Sequence, residues 1–559
     1  MEKSVIPGQE QNRAQAEEVE GRSTVGAGTD GAQTGRSSRD SLAKAGWRCW
    51  RPGSFKGLVS YESRPFSWLA LAPVWQSRNQ VLGDLFGDPT NEERRRWMEV
   101  QRKTGRLPEK PAVEDLVIKK HADLEEVSFF MLGDPGEGDA SQYALVPPLE
   151  TEERRESTHF MVICSDVIYP AGGIDQYEDK FYRPYRDYPC PVYAVPGNHD
   201  WYDGLTGFMY HLCGWDGRTL PEQPRASRWR GRVRDVLWRR PPEKEDPTAG
   251  ARREVWRSGS GQRSSQRTPY FAIETGPLLI VGIDTGMSGD IDQEQGSWLR
   301  EVSRIDKPKL LLTGKPIYVD GKYHPGAVEG GGTVDEIVRD PEHNYVAVIG
   351  GDIHNYQRYP VRLGDGRKIE YIVSGGAGAY MSATHTIPYI RLSGVDEKDF
   401  RCYPRRGDSL SFYSKLYDRR FGLGKGWFEI PPDEAAAYMM DLLLGITGKD
   451  RETMDLEDLE ERIGRIREGD KYTYVTRRTQ RIARRMIYPP PGYRRGPLHH
   501  FFSEFFDWND PPLFKNFLRI DASASEVRIR CFAATGCLEH EKDPPVEDDV
   551  RIQLTTSGT

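Results

Sequence analysis

The chain lacks any long hydrophobic run. Nothing in its 559 residues approaches the roughly 18 consecutive apolar residues that a membrane-crossing helix needs. The nearest candidate, Phe66 to Trp75, is short and holds Pro73. The N-terminus lacks a basic region followed by an apolar core, the mark of a secretory signal, so a cytoplasmic location is the expectation. Cysteine is sparse: seven residues, odd in number and scattered, give no disulfide framework and point to a reducing compartment. Neither sign of charge dominates. With 78 Lys and Arg against 85 Asp and Glu, the net charge of −7 gives no global bias toward nucleic acid, and no specific nucleic-acid partner is expected. The first forty-odd residues nearly lack large apolar side chains and cannot bury enough surface to offset ordering entropy. Residues 1–46 therefore read as a disordered tail, and no internal repeat follows them.

What is present is a series of apolar, β-branched runs that end in polar, glycine-containing turns. Val127-Ser128-Phe129-Phe130-Met131-Leu132 runs into Gly133-Asp134-Pro135-Gly136, and Phe160-Met161-Val162-Ile163-Cys164 into Ser165-Asp166-Val167-Ile168-Tyr169. Pro191-Val192-Tyr193-Ala194-Val195 precedes Gly197-Asn198-His199-Asp200. Lys309-Leu310-Leu311-Leu312 leads to Thr313-Gly314-Lys315-Pro316, and Tyr345-Val346-Ala347-Val348-Ile349 to Gly350-Gly351-Asp352-Ile353-His354. Each run has the length and composition of a buried strand. Short helical stretches between them suggest parallel strands joined by crossovers, an α/β fold whose ligands bind at the carboxyl ends of the strands. There, Gly197 to Asp200 delivers an amide oxygen, an imidazole and a carboxylate together. One such tetrapeptide is also turn chemistry, and its repetition carries the signal.

The blocks Gly133-Asp134-x-Gly136, Ser165-Asp166-x-x-Tyr169, Gly197-Asn198-His199-Asp200 and Gly351-Asp352-x-His354 resemble those of the calcineurin-like metallophosphoesterase superfamily. The pattern is most similar to that of purple acid phosphatases, whose blocks read GDxG, GDxxY, GNH(D/E), VxxH and GHxH. The longer string from Gly197 to Leu205 looks like a branch that carries GDxH in its last block. The resemblance covers Val127 to Tyr380 and implies a calcineurin-like four-layer α/β/β/α sandwich, here with insertions and terminal extensions. It further implies a first metal ion on Asp134, Asp166, Tyr169 and His354, and a second on Asp166 and Asn198. The family's two further ligands for the second ion are imidazoles, and both are missing: Gly314 stands in place of one and Asp352 in place of the other.

Two divalent ions about 3.5–4 Å apart clamp a phosphoryl group and acidify a bound water. A carboxylate between them offsets their repulsion, which suits Asp166. Oxygen-rich ligation favours Mn, Mg or Fe, one or two ions per chain. With two imidazoles lost, three outcomes are open. Asp352 ligates the second ion; or that ion is absent and the Lys315 ammonium neutralises substrate phosphate; or the site is a phosphate-binding or structural pocket. His199 and Asp200 either assist the phosphoryl and leaving-group oxygens or cap the segment that follows. The expected activity is hydrolysis of a phosphoester by a metal-activated hydroxide; the alternative is a catalytically degenerate binding or scaffolding module. Gly136-Glu137-Gly138-Asp139 reads as a solvated loop, and His211 and His324 as spectators.

Around the catalytic segment 121–395, residues 47–120 read as an N-terminal extension packed on the core, with a helix over Asn91 to Thr104. Within an Arg- and Trp-rich insertion, 205–268, Trp229, Val233, Val236 and Leu237 fall at helical spacing amid Arg230, Arg232, Arg234, Arg239 and Arg240. A lid or solvated insertion is the plainer reading, contact with an anionic membrane or polyanion the other. Tyr270 to Asp284 reads as a hairpin about Thr275-Gly276-Pro277, and Lys368 onward as a strand into the glycine run Gly375 to Gly378. Residues 396–559 form a C-terminal extension, with helices over Pro432 to Thr447 and Leu456 to Glu468, a solvated basic face from Arg477 to Arg485, and a terminal hairpin of Phe517 to Asp521 with Val527 to Phe532.

Overall fold

A computed structural model describes residues 71–221, 229–239, 257, 259–445, 475–487, 513–535, 544 and 546–554. The N-terminal tail 1–46, much of the insertion and the helix expected over Leu456 to Glu468 lie outside these described residues.

The strands run in chain order as β1 Val117–His121, β2 Val127–Gly133, β3 Phe160–Cys164, β4 Val192–Val195, β5 Phe271–Thr275, β6 Leu279–Ile283, β7 Lys309–Thr313, β8 Tyr318–Val319 and β9 Lys322–Tyr323. They continue as β10 Tyr345–Gly350, β11 Tyr356–Arg362, β12 Lys368–Ser374, β13 Arg401–Tyr403, β14 Lys515–Ala522, β15 Glu526–Ala534 and β16 Val546–Gln553. One sheet has the order β1-β5-β6-β7-β10-β12-β11-β13, and the other β16-β15-β14-β2-β3-β4; β8 and β9 form a separate small ribbon. The pairs β2/β3, β3/β4, β6/β7, β7/β10 and β10/β12 are parallel, as crossover connections require.

The alternation of side chains along a strand sets the layers. Phe129, Met131, Val162, Cys164 and Val195 of one sheet meet Ile280, Leu310, Leu312, Ile349 and Ile372 of the other in a shared core. Phe130, Leu132, Met161 and Ile163 point the opposite way, onto Leu145, Leu149 and Phe208. Val281, Leu311 and Val348 of the larger sheet turn outward onto Leu299, Val302 and Val338 of the helices Gln293–Ser303 and Val334–Arg339. The result is an α/β/β/α sandwich, with helices outside two facing sheets.

Local expectations met by the structure include the antiparallel β5/β6 hairpin, the helix Thr90–Lys103, the helix Pro432–Leu444 and the antiparallel β14/β15 hairpin. The helix Arg477–Ile487 buries Thr479, Ala483, Met486 and Ile487 and leaves its arginines on the exposed face. Among the described residues no helix is long and apolar enough to cross a membrane.

Two findings differ from the sequence reading. Gly136 to Asp139 is not a solvated loop. Glu137 and Asp139 are buried: the Asp139 carboxylate accepts from Ser141 N at 3.0 Å and Ser141 Oγ at 2.8 Å, while Glu137 Oε1 accepts from Tyr380 N at 3.3 Å. Local backbone donors thus offset the cost of burying these acids. The insertion helix Trp229–Leu237 likewise spends part of its basic character internally, because Arg234 is buried and donates to Gly87 O at 2.8 Å.

Candidate active site

The ends of β2, β3 and β4 are in register, Gly133 beside Cys164 and Cys164 beside Val195, as are Thr313 of β7 and Gly350 of β10. Cys164 Sγ donates to Thr313 O at 3.1 Å, so the two sheets meet at this edge. Glycine makes the approach possible. A Cβ at Gly133 would stand 1.9 Å from Ser374 O, and one at Gly197 2.1 Å from Asp166 Oδ1.

The turns that leave these strands are strained. Asp134, Ser165, Asp166 and Asp352 have φ of +55°, +76°, +29° and +66°, in the left-handed region that costs non-glycine residues free energy and that clusters at functional sites. This backbone aims three carboxylates at one place. Asp134 and Asp166 are buried, and Asp134 Oδ2 has no hydrogen bond of good geometry. Burial pushes the Asp134 carboxyl well above the usual carboxylate range, and the charges of Asp166 and Asp352 push it further. Asp166 is raised by burial and by Asp352, although His199 pulls the other way. Such a set calls for a cation.

Tyr169 Oη lies 3.0 Å from His354 Nε2 and 3.4 Å from Asp134 Oδ1. Burial, then Asp134 and Asp166, raises this phenol well above its ordinary value. His199 N donates to Asp166 Oδ1 at 2.8 Å, fixing that carboxylate. His199 Nδ1 lies 2.8 Å from Pro170 O; a carbonyl only accepts, so Nδ1 carries a hydrogen. Asn198 Nδ2 donates to Tyr202 Oη at 2.6 Å, which makes Oδ1 the atom this amide would offer a cation. Asp166, Asn198, His199, Asp352 and His354 all line one cavity of about 690 Å³.

Asp200 stands apart from the other expected catalytic residues. Fully buried, it accepts from Val167 N at 3.0 Å, Ile168 N at 3.2 Å and Gly197 N at 3.0 Å. It braces the third block against the second and does not line the cavity; Lys315 also lies outside it, lining an adjoining cavity with Asp352.

Lys315 Nζ donates to Asp352 Oδ1 at 2.9 Å. Burial alone would depress its ammonium, but Asp352, with Asp166 and Asp134 behind it, carries the pKa above the ordinary lysine value. Lys315 is therefore a fixed positive charge beside the carboxylates. Neighbouring Gly314 leaves no room for an imidazole, since a Cβ there would lie 2.9 Å from both Pro196 O and Thr285 Oγ1.

Tyr169 Oη stands 3.0 Å from His354 Nε2 and 3.4 Å from Asp134 Oδ1, separations that neighbouring ligands of one ion at about 2.1 Å would have. Among the described residues no group of three or more His, Cys, Asp or Glu side chains could hold an ion by itself, and the convergence runs through the Tyr169 phenol. At Asp352 an ammonium already supplies the positive charge.

The sequence reading gave no role to Ser165, whose strained backbone precedes Asp166, or to Tyr202, which orients Asn198 from four residues away on the same short turn. The i,i+4 spacing was the only local signal for Tyr202. Trp75, Arg78 and Gln80, which also line the cavity, come from a segment with no motif.

Residues 127–356 match the family model described as calcineurin-like phosphoesterase. No curated protein matches the chain. Similar solved structures include the purple acid phosphatase PPD1 from seeds of yellow lupin (Lupinus luteus), at 9% identity and a TM-score of 0.36, with 78% of this chain and 55% of that chain covered. This chain thus spans little more than half the length of that phosphatase. Others are PhoD, at 10% identity, TM-score 0.31 and coverage of 78% and 73%, and GAP50, the anchor in the inner membrane complex of Plasmodium, at 12%, 0.30, and coverage of 46% and 74%.

Proposed function

We propose, from the match of residues 127–356 to the calcineurin-like phosphoesterase model, that the chain hydrolyses a phosphoester with one divalent ion, Mn, Fe or Mg, and a lysine ammonium. The ion would be held by Asp134, Asp166, Tyr169 and His354, and when bound it supplies Lewis acidity and a water acidified to near-neutral pKa. The observation that carries the reading is the Lys315–Asp352 ion pair, 2.9 Å long, at the position where the family pattern has lost its imidazoles.

The protein's own groups divide the remaining work. Lys315 has three donors, and Asp352 takes one, leaving the ammonium able to bind a phosphate oxygen as a point charge. Asp352 is then a positioning residue for Lys315. His199, with Nδ1–H held by Pro170 O, would in its doubly protonated form donate from Nε2 to the departing oxygen and be left as the neutral imidazole. Asn198, oriented by Tyr202, contributes an amide oxygen at the cleft. Asp200 keeps the third block in place without touching substrate. Residues 121–395 would form the catalytic domain, flanked by extensions over 47–120 and 396–559.

Hydrolysis of p-nitrophenyl phosphate, measured with added Mn, Mg or Fe and after chelation, tests the reading. Metal-dependent turnover that disappears in Asp166→Asn together with the bound metal is the expected result. Full activity and full metal content in Asp166→Asn would overturn it. A protein with no metal and no turnover under any of these ions would instead be the binding module that the same fold permits.

A further inference from the structure

Resting on that reading, we infer that the phosphoester substrate carries an apolar body, an alkyl, acyl or aryl group, held in the part of the cavity that lies away from the carboxylates. The cavity of about 690 Å³ is of the size that takes a small ligand. Beyond its polar residues it is lined by Trp75, Val81, Leu82, Leu237, Ile353 and Tyr380.

Trp75, Val81, Leu82 and Leu237 of this wall come from three helices outside the five motif blocks, Leu71–Gln76, Arg78–Phe86 and Trp229–Leu237, while Ile353 belongs to the fifth block and Tyr380 follows β12. The helices are tied to one another and to the catalytic turn. Arg78 donates to Leu237 O at 2.9 Å and Trp75 O at 2.7 Å, Asn79 Nδ2 donates to Tyr202 O at 3.2 Å, and Tyr202 Oη donates to Gln80 Oε1 at 3.1 Å. The wall is thus joined to the residue that orients Asn198.

Leu82 and Tyr380 are buried, but three of the wall's apolar side chains remain in water. Trp75 is 64% exposed, Val81 58% and Leu237 45%, although all three line the same cavity. Apolar side chains fixed around a cavity and left unburied by the fold are the arrangement that an apolar ligand completes. The phosphate at the end of the cavity lined by Asp166, Asn198, His199 and His354, next to the Asp352 that Lys315 pairs with from an adjoining cavity, and the apolar body against Trp75 and Leu237 would then belong to one molecule.

The test is calorimetric titration of the full chain, with Mn present, by alkylphosphonic acids of two to ten carbons, whose C–P bond is not hydrolysed. Affinity should rise about threefold to fourfold per added methylene until the cavity is filled. Trp75→Ser and Leu237→Ser, exposed positions that should not disturb folding, should each cost decylphosphonate about tenfold and ethylphosphonate less than twofold. Equal affinity across the series, or no binding of any member, overturns the inference. Turnover of the matching alkyl phosphates separates this from the catalytic reading: chain-length-dependent binding without hydrolysis sinks the hydrolase and keeps the apolar subsite. Sedimentation with phosphatidylcholine vesicles, with and without phosphatidic acid, distinguishes the source of the ligand. Capture only with phosphatidic acid supports a bilayer lipid, and no capture with retained decylphosphonate binding supports a soluble ester. Capture by phosphatidylcholine alone, with no chain-length dependence in solution, assigns the wall to membrane docking and overturns the inference.

Discussion

Lys315 and Asp352 face each other across two loops, 2.9 Å apart. At 314 only glycine fits between Pro196 O and Thr285 Oγ1, and the next residue sends its ammonium to the carboxylate that replaces the second missing imidazole. If this ammonium binds substrate phosphate, Lys315→Ala should lower kcat by about 10²–10³, as loss of one preorganised electrostatic donor does, while metal content stays unchanged. Steady-state kinetics with metal analysis of the same sample checks both. A different residue sets a pH response. Burial, and then Asp88, raises Glu93 to about 8 from an ordinary value near 4.5. Its stabilising contribution is present in full below the unfolded value and is lost as pH rises from about 4.5 to about 8, because only the folded state keeps the proton in that window. Glu93→Gln should flatten the stability profile between pH 5 and 8 and stabilise the protein at pH 8, as read by chemical denaturation. Asp134, Asp166 and His354 were legible in the sequence because each follows a strand at a predictable edge. The role of Asp200 was not, since whether a carboxylate turns to the cleft or to its own backbone depends on the conformation of the loop. Burial of Glu137 and Asp139 escaped the sequence for the same reason.

At the scale of elements, local patterns translated well and distant pairings did not. The β5/β6 hairpin and the helix Thr90–Lys103 follow from turn residues and from acidic residues in a first helical turn, all within a short window. The terminal hairpin was equally visible, but its destination was not. β14 pairs antiparallel with β2, Leu518 opposite Met131, so strands from the end of the described chain complete the sheet that carries the first catalytic turns. Nothing in either segment names its partner, because the hydrophobic pattern fixes which face is buried and leaves the neighbour open. Leu518 is fully buried in the core between the sheets. Leu518→Ala should therefore destabilise the catalytic sheet by about 2–5 kcal/mol. A midpoint unchanged in urea unfolding would show that β14 adds nothing to the core.

At the scale of the whole molecule, two facing sheets bring the turns after β2, β3, β4, β7 and β10 to one edge, where buried carboxylates, a phenol, two imidazoles and an ammonium gather. The motif blocks made that convergence readable from sequence. The number of cations was not readable, and the Lys315–Asp352 pair on which the one-ion proposal rests is a side-chain contact across two loops. Metal content per chain, measured by elemental mass spectrometry on protein purified without chelator, tests this most directly, in the unmutated chain and in Asp352→Ala. The account predicts one ion per chain in both. Two ions in the unmutated chain, falling to one in Asp352→Ala, would show that Asp352 is a ligand of a second ion and would contradict it.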